Sequence, residues 1–137
     1  MRLCSACLLG IQCGFNGHSK ENEKVMELAE GEGLVPVCPE QLGGLPTPRP
    51  QTEIRNGKIV TVNGVDQTEF YEKGAQEVLK LCQRLGIKEV IFQQRSPSCG
   101  CGLVYDGSFT GKLINGDGIT TKLLKVHGIR VKSMDSV

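Results

Sequence analysis

A small Rossmann-like α/β sheet of about four parallel strands, with flanking helices and a β-hairpin insertion, follows from two features of this 137-residue sequence. Short apolar runs alternate with longer segments in which apolar residues recur every three or four positions, the pattern of strands feeding helices that cover a parallel sheet. Glycines and prolines punctuate nearly every junction between them. The length suits one compact domain, and residues 1–137 are read as such.

Met1 to Ala6, small and mostly apolar, reads as a buried strand, followed by a glycine-punctuated loop that holds Cys7 and Cys13. Ser19 offers a helix N-cap, and Val25, Met26, Leu28 and Ala29 share one side of a helix over Glu21 to Glu30 that Gly31 and Gly33 close. Leu34 to Val37 is the second strand. The stretch CPEQLGGLPTPRPQTE is too rich in Pro and Gly for helix or strand, whereas EIRNGKIVTV carries Asn56-Gly57, a strong hairpin signal, and predicts a small exposed hairpin. Asp66 or Thr68 can cap a longer helix in which Phe70, Ala75, Val78, Leu79, Cys82 and Leu85 repeat at three and four before Gly86. Glu89 to Gln93 is the third strand of the sheet, and the turn SPSCGCG and a Gly-rich excursion from Tyr105 to Gly118 come next. A last helix, Ile119 to His127, stops at Gly128, and Ile129 to Ser133 closes as the fourth strand.

Charge and hydropathy exclude several classes. Sixteen Lys and Arg against fifteen Asp and Glu leave a net charge of +1, scattered rather than gathered into a basic stripe, which gives no support for nucleic-acid binding. The apolar runs are too short to span a bilayer or to form a signal peptide, so a cytoplasmic protein is expected. In a reducing compartment, seven cysteines call for metal binding or chemistry before structural disulfides.

Topology gathers three of those cysteines. Cys7, Cys38 and Cys99 each follow a parallel strand, so they fall on the carboxyl edge of the sheet, where ligands of open α/β folds bind. A closed structural zinc site uses four ligands, whereas three thiolates suit a centre with an open position: a 4Fe-4S cluster with one free iron, or a catalytic zinc. Glu40 stands two residues past Cys38, and Ser96 and Ser98 flank Pro97 just before Cys99, supplying a carboxylate and hydroxyls for proton transfer.

SACLLG (Ser5 to Gly10), PVCPEQLGGLPTPRPQTEI (Pro36 to Ile54), SPSCG (Ser96 to Gly100) and YDGSFTGKLINGDGIT (Tyr105 to Thr120) together resemble the thiouracil desulfidase (TudS) family over nearly the whole chain. The resemblance implies a 4Fe-4S cluster held by Cys7, Cys38 and Cys99, with the fourth iron taking the sulfur of a thiolated pyrimidine such as 2-thiouracil or 4-thiouracil. It further implies hydrolysis of C=S to C=O with release of hydrogen sulfide, Glu40 as catalytic carboxylate and Ser96, before Ser98, as catalytic serine. Gln93 and Gln94 stand where the family pattern has Lys and an acidic residue, Asn16 where it has Asp, and Cys101 is additional. Longer relatives act on thiouridine in tRNA. Without a basic face, this chain is expected to take a free base or nucleoside, as a monomer.

Plainer readings compete. Cys4 and Cys82 read as core, and Cys13 and Cys101 as spare thiols, a persulfide relay or neither. Glu40 or Ser96 can simply shape a turn, His18 and His127 read as surface or structural residues, and Asp117 as a turn residue or helix cap. Two other functions use the same residues. A non-catalytic metal or iron-sulfur binding protein would not need Glu40 and Ser96, and a sulfur relay would use Cys99 and Cys101 as a reactive pair.

Overall fold

A computed structural model describes residues 1–137. Its centre is a four-stranded parallel sheet of β1 (Arg2–Ser5), β2 (Leu34–Val37), β5 (Glu89–Phe92) and β8 (Arg130–Ser133), in the order β2-β1-β5-β8. Alternation along the strands divides the apolar residues between two faces. Leu3, Val37, Val90 and Phe92 pack under α3 (Thr68–Leu85) and α4 (Ile119–Val126) together with Val78, Leu79, Cys82 and Leu124. Cys4 and Ile91 turn to the other face, against Leu8 of the turn after β1 and Val25 of α1 (Glu23–Gly31). Cys4 and Cys82 are thus core residues, as expected.

The connection from β1 reaches β2 on one side, whereas β5 and then β8 lie on the other, so the chain reverses its winding between β1 and β5. A crevice opens there at the carboxyl ends of the strands. The buried Ser5 hydroxyl spans it, accepting the Gln93 N–H at 2.9 Å.

The expected hairpin is β3 (Thr52–Arg55) with β4 (Lys58–Thr61), turning through Asn56 and Gly57, both at positive φ (51° and 76°) as a two-residue primed turn requires. It is not exposed. Thr52, Glu53, Ile59, Val60 and Thr61 are buried, because β4 lies against α3 and β3 meets a second hairpin, β6 (Leu103–Tyr105) with β7 (Leu113–Asn115), which the Gly-rich excursion helps to form. Glu53 makes that contact polar, accepting N–H groups from Gly107 and Phe109 at 3.0 and 3.1 Å.

Other differences are local. Pro39–Leu42 forms one helical turn, α2, because Pro39 at its start needs no amide partner. Asn22, not Ser19, caps α1, its side chain accepting from the Val25 N–H at 3.1 Å. Gln67 occupies the cap position of α3, although Asp66 does accept the Thr68 N–H. The buried stripe of α3 begins at Tyr71 rather than Phe70, which is 42% exposed, and the helix ends on an exposed Leu85. No helix is long and apolar enough to cross a membrane.

Candidate active site

At the strand reversal lies a cavity of about 420 Å³, lined by Cys7, Cys38, Cys99, Glu40 and Ser96 among others. All five site residues expected from the sequence therefore share one wall system, although each arrives by a different route. Cys7 sits in the 3-10 turn Ala6–Leu9 that leaves β1, Cys38 follows β2 directly and Cys99 lies in the turn beyond β5.

Helix α2 places Glu40. Cys38 Sγ lies 3.4 Å from Glu40 Oε2, close enough for the thiol to donate to the carboxylate, and 3.7 Å from the Cys13 carbonyl oxygen. The whole turn is pressed onto α3 by two glycines: a Cβ on Gly43 would overlap the Phe70 carbonyl, and one on Gly74 the Pro39 carbonyl. Backbone meets backbone here, which only glycine permits.

The SPSCG turn is clamped by the start of α4. Pro97 O accepts from the Ile119 N–H at 2.7 Å, Ser98 O from Thr120 and Thr121, and Cys99 O from the Thr121 hydroxyl at 3.1 Å. Ser98 is fully buried, with its hydroxyl 2.8 Å from that of Thr120, and it does not line the cavity. Ser96 does line it, and its Oγ accepts the Cys99 N–H at 2.7 Å. The turn-forming and cavity-facing readings of Ser96 thus hold together, since an accepting hydroxyl still has a proton to donate.

Further residues line the cavity, of which Arg49, Tyr71 and Thr52 went unflagged by the sequence. Cys13, buried in the loop after β1, lies against both Cys7 and Cys38. Arg49, from the Pro46–Pro50 loop, has a side chain only 6% exposed and gives Nη2 to the Cys13 carbonyl at 2.9 Å. Tyr71 and Thr52 share a buried hydroxyl contact of 2.7 Å and also line the cavity. An arginine between two prolines, in a loop leaving a parallel strand, is the one feature that could have flagged Arg49. Gln93 and Gln94 line the wall, whereas Asn16 turns back onto its own loop, accepting the His18 N–H. Cys101 is not a cavity residue. Its thiol points to the Val131 carbonyl at 3.6 Å, so Cys99 and Cys101 do not form a facing pair. Asp117 bridges Gly102 N–H and Lys125 rather than capping α4, whose cap position is Gly118. His18 and His127 are exposed, His127 Nδ1 meeting the Leu123 carbonyl.

Crowding and burial favour the protonated form of Cys13, Cys38 and Cys99. Contact with Cys13, burial and the Glu40 charge all push Cys38 upward, and burial followed by the Glu40 charge pushes Cys99 well above the ordinary thiol range. For Cys13 the bond with Cys38 pulls down, but contact with Cys7 and burial outweigh it and hold the thiol at about 11. Tyr71 is pushed up to about 12, first by burial and then by Glu40. A bound cationic metal centre inverts that preference, since thiolate is the ligating form.

No three His, Cys, Asp or Glu side chains converge tightly enough to hold a single metal ion. Cys7, Cys38 and Cys99 line one cavity, and their soft sulfur donors fit an iron-sulfur cluster.

The match to known proteins covers the same ground. The family model described as 2-thiouracil desulfurase matches residues 3–136. This chain belongs to the 2-thiouracil desulfurase family. The desulfurase fold is reproduced in a solved structure described as the [4Fe-4S]-dependent thiouracil desulfidase TudS, with a TM-score of 0.92 and 42% identity over 99% of this chain and 91% of that one. A second relative, the Bacillus subtilis (strain 168) protein YbbK, is 43% identical over 97% of this chain and 95% of its own length. Family membership and the TudS likeness support desulfidase activity for this member of the desulfurase family.

Proposed function

We propose that this protein converts a thiolated pyrimidine, as free base or nucleoside, to its oxygen counterpart, using a 4Fe-4S cluster held by Cys7, Cys38 and Cys99 with one iron left open. The net reaction is C=S plus water to C=O plus hydrogen sulfide, with no change of oxidation state. The observation that carries this reading is the meeting of three strand-end cysteines, Glu40 and Ser96 on one cavity of about 420 Å³, a volume suited to a small heterocycle.

When bound, the cluster supplies a soft, open metal position for the sulfur of the substrate. Glu40, fixed on α2 beside Cys38, takes a proton from the attacking water. Ser96, fixed by the Cys99 N–H, passes a proton to the ring or the departing sulfur. Gln93, on the wall between Ser5 and the SPSCG turn, offers an amide that pairs with the edge of a pyrimidine. The hydroxyl pair of Tyr71 and Thr52 gives a second polar contact on the opposite, hairpin side.

The test is anaerobic reconstitution with iron and sulfide, followed by 2-thiouracil and 4-thiouracil with hydrogen sulfide as the readout. A brown protein that releases sulfide, with colour and activity both lost in Cys38→Ala, is the expected result. A colourless protein, or a brown one inert to both thiouracils, would overturn the assignment.

A further inference from the structure

Building on the function proposed above, we infer that Arg49 is a positioning residue whose buried positive charge lets the Cys38 ligand sulfur and the Glu40 carboxylate stand side by side. The two groups are 3.4 Å apart. As a ligand, Cys38 is a thiolate, so two negative groups then share a site with little water to separate them, and they repel. Arg49 Nη2 lies 4.0 Å from Cys38 Sγ and 3.8 Å from Glu40 Oε2, facing both.

The guanidinium is held independently of those two. Nη2 donates to the Cys13 carbonyl at 2.9 Å, while Nη1 donates to Thr47 Oγ1 at 3.0 Å and to the Pro46 carbonyl at 3.3 Å. The Arg49 backbone N–H also bonds the Phe15 carbonyl at 2.7 Å. One loop therefore ties the Cys13 segment after β1 to the Cys38–Glu40 turn after β2. The other cations on the cavity, Lys20 and Arg95, are exposed and solvated. Arg49 is the buried one.

A charge placed this way acts through its neighbours: it retains the iron-sulfur group by stabilising the Cys38 thiolate, and it keeps Glu40 aimed into the cavity. Outer partners of metal ligands typically contribute about 10- to 100-fold in metal affinity or activity. The experiment compares wild type, Arg49→Met and Arg49→Lys after anaerobic reconstitution, with two readouts. The first is the rate at which an iron chelator bleaches the cluster absorbance, and the second is kcat and KM for sulfide release from 2-thiouracil. Arg49→Met should bleach about 10- to 100-fold faster than wild type and lose kcat with KM little changed, whereas Arg49→Lys, which keeps the charge, should bleach close to the wild-type rate. Wild-type bleaching in Arg49→Met overturns the inference, as does an Arg49→Lys as labile as the Met variant. Should Arg49→Met not fold, Arg49→Gln removes the charge while keeping an amide donor for the Cys13 carbonyl, and the same rates decide. A wild type that takes up no cluster and releases no sulfide fails the functional proposal itself, a result distinct from an active wild type matched by its Arg49 variants.

Discussion

Glu40 reaches Cys38 because it stands two residues on, in the one helical turn that starts after Cys38, which sets its carboxylate 3.4 Å from that sulfur. Glu40→Gln keeps the shape and removes the base. Sulfide release should fall by about 10²- to 10⁴-fold, while cluster absorbance stays at the wild-type level. Retained turnover in that variant would remove Glu40 from the chemistry. The two serines of the SPSCG turn separate in the same way. Ser96→Ala should lower turnover with the cluster intact, and Ser98→Ala should act on stability instead, by about 1–3 kcal/mol, because it strands the buried Thr120 hydroxyl. Urea unfolding beside the activity assay distinguishes the two. The cavity positions of Cys7, Cys38, Cys99, Glu40 and Ser96 were legible in the sequence because each lies in a segment that leaves the carboxyl end of a strand. Arg49, Tyr71 and Thr52 were not, since their meeting depends on how loops and the hairpin pack, which periodicity does not encode, and Cys13 could not be told from a spare thiol.

At the scale of elements, the site depends on α2 resting on α3 without side chains between them. A methyl group on Gly74 has to displace the Pro39 carbonyl, and backbone cannot yield as a flexible side chain does. Gly74→Ala should therefore cost about 1–3 kcal/mol in unfolding free energy and lower activity as well, because Pro39 carries Glu40 with it. Gly31→Ala, at the end of α1 with nothing within 4 Å, should instead stabilise the protein by about 0.4–1 kcal/mol and leave activity alone. Equal effects from the two substitutions, in either assay, would mean that the α2–α3 contact does not set the site. The central strands and three long helices were readable from apolar spacing. The second hairpin was hidden because its strands are only three residues each and the Gly- and Ser-containing loop between them gives no short-turn signal.

Across the whole molecule, one end of the sheet carries an ion-pair cluster and the other opens on the cavity. At the amino ends of the strands, Arg2 pairs with Glu32 and, at 3.0 Å, with Glu89, which Lys132 and Arg130 also approach. Burial pushes Glu89 up, but the Arg2 bond and the Lys132 and Arg130 charges outweigh it, so its carboxyl titrates below its ordinary value. A depressed carboxyl stabilises the fold above the unfolded value of about 4.3, and that contribution is lost as pH falls through the folded one. Glu89→Gln should therefore be less stable than wild type near neutrality, with the gap closing on acidification below about pH 4.3. A gap that widens in acid would contradict the ion-pair account. At the carboxyl ends, winding order brings the segments after β1, β2 and β5 to one cavity, so the sequence could place Cys7, Cys38 and Cys99 on that edge of the sheet.

The most direct measurement of the central claim is turnover of 2-thiouracil by the reconstituted protein in water enriched in oxygen-18, with sulfide and uracil both quantified. One sulfide released for each uracil formed, with one solvent oxygen in that uracil and neither product in Cys38→Ala, is the predicted result. Sulfur recovered in an oxidised form, uracil without solvent oxygen, or undiminished turnover in Cys38→Ala would contradict a cluster-dependent hydrolysis.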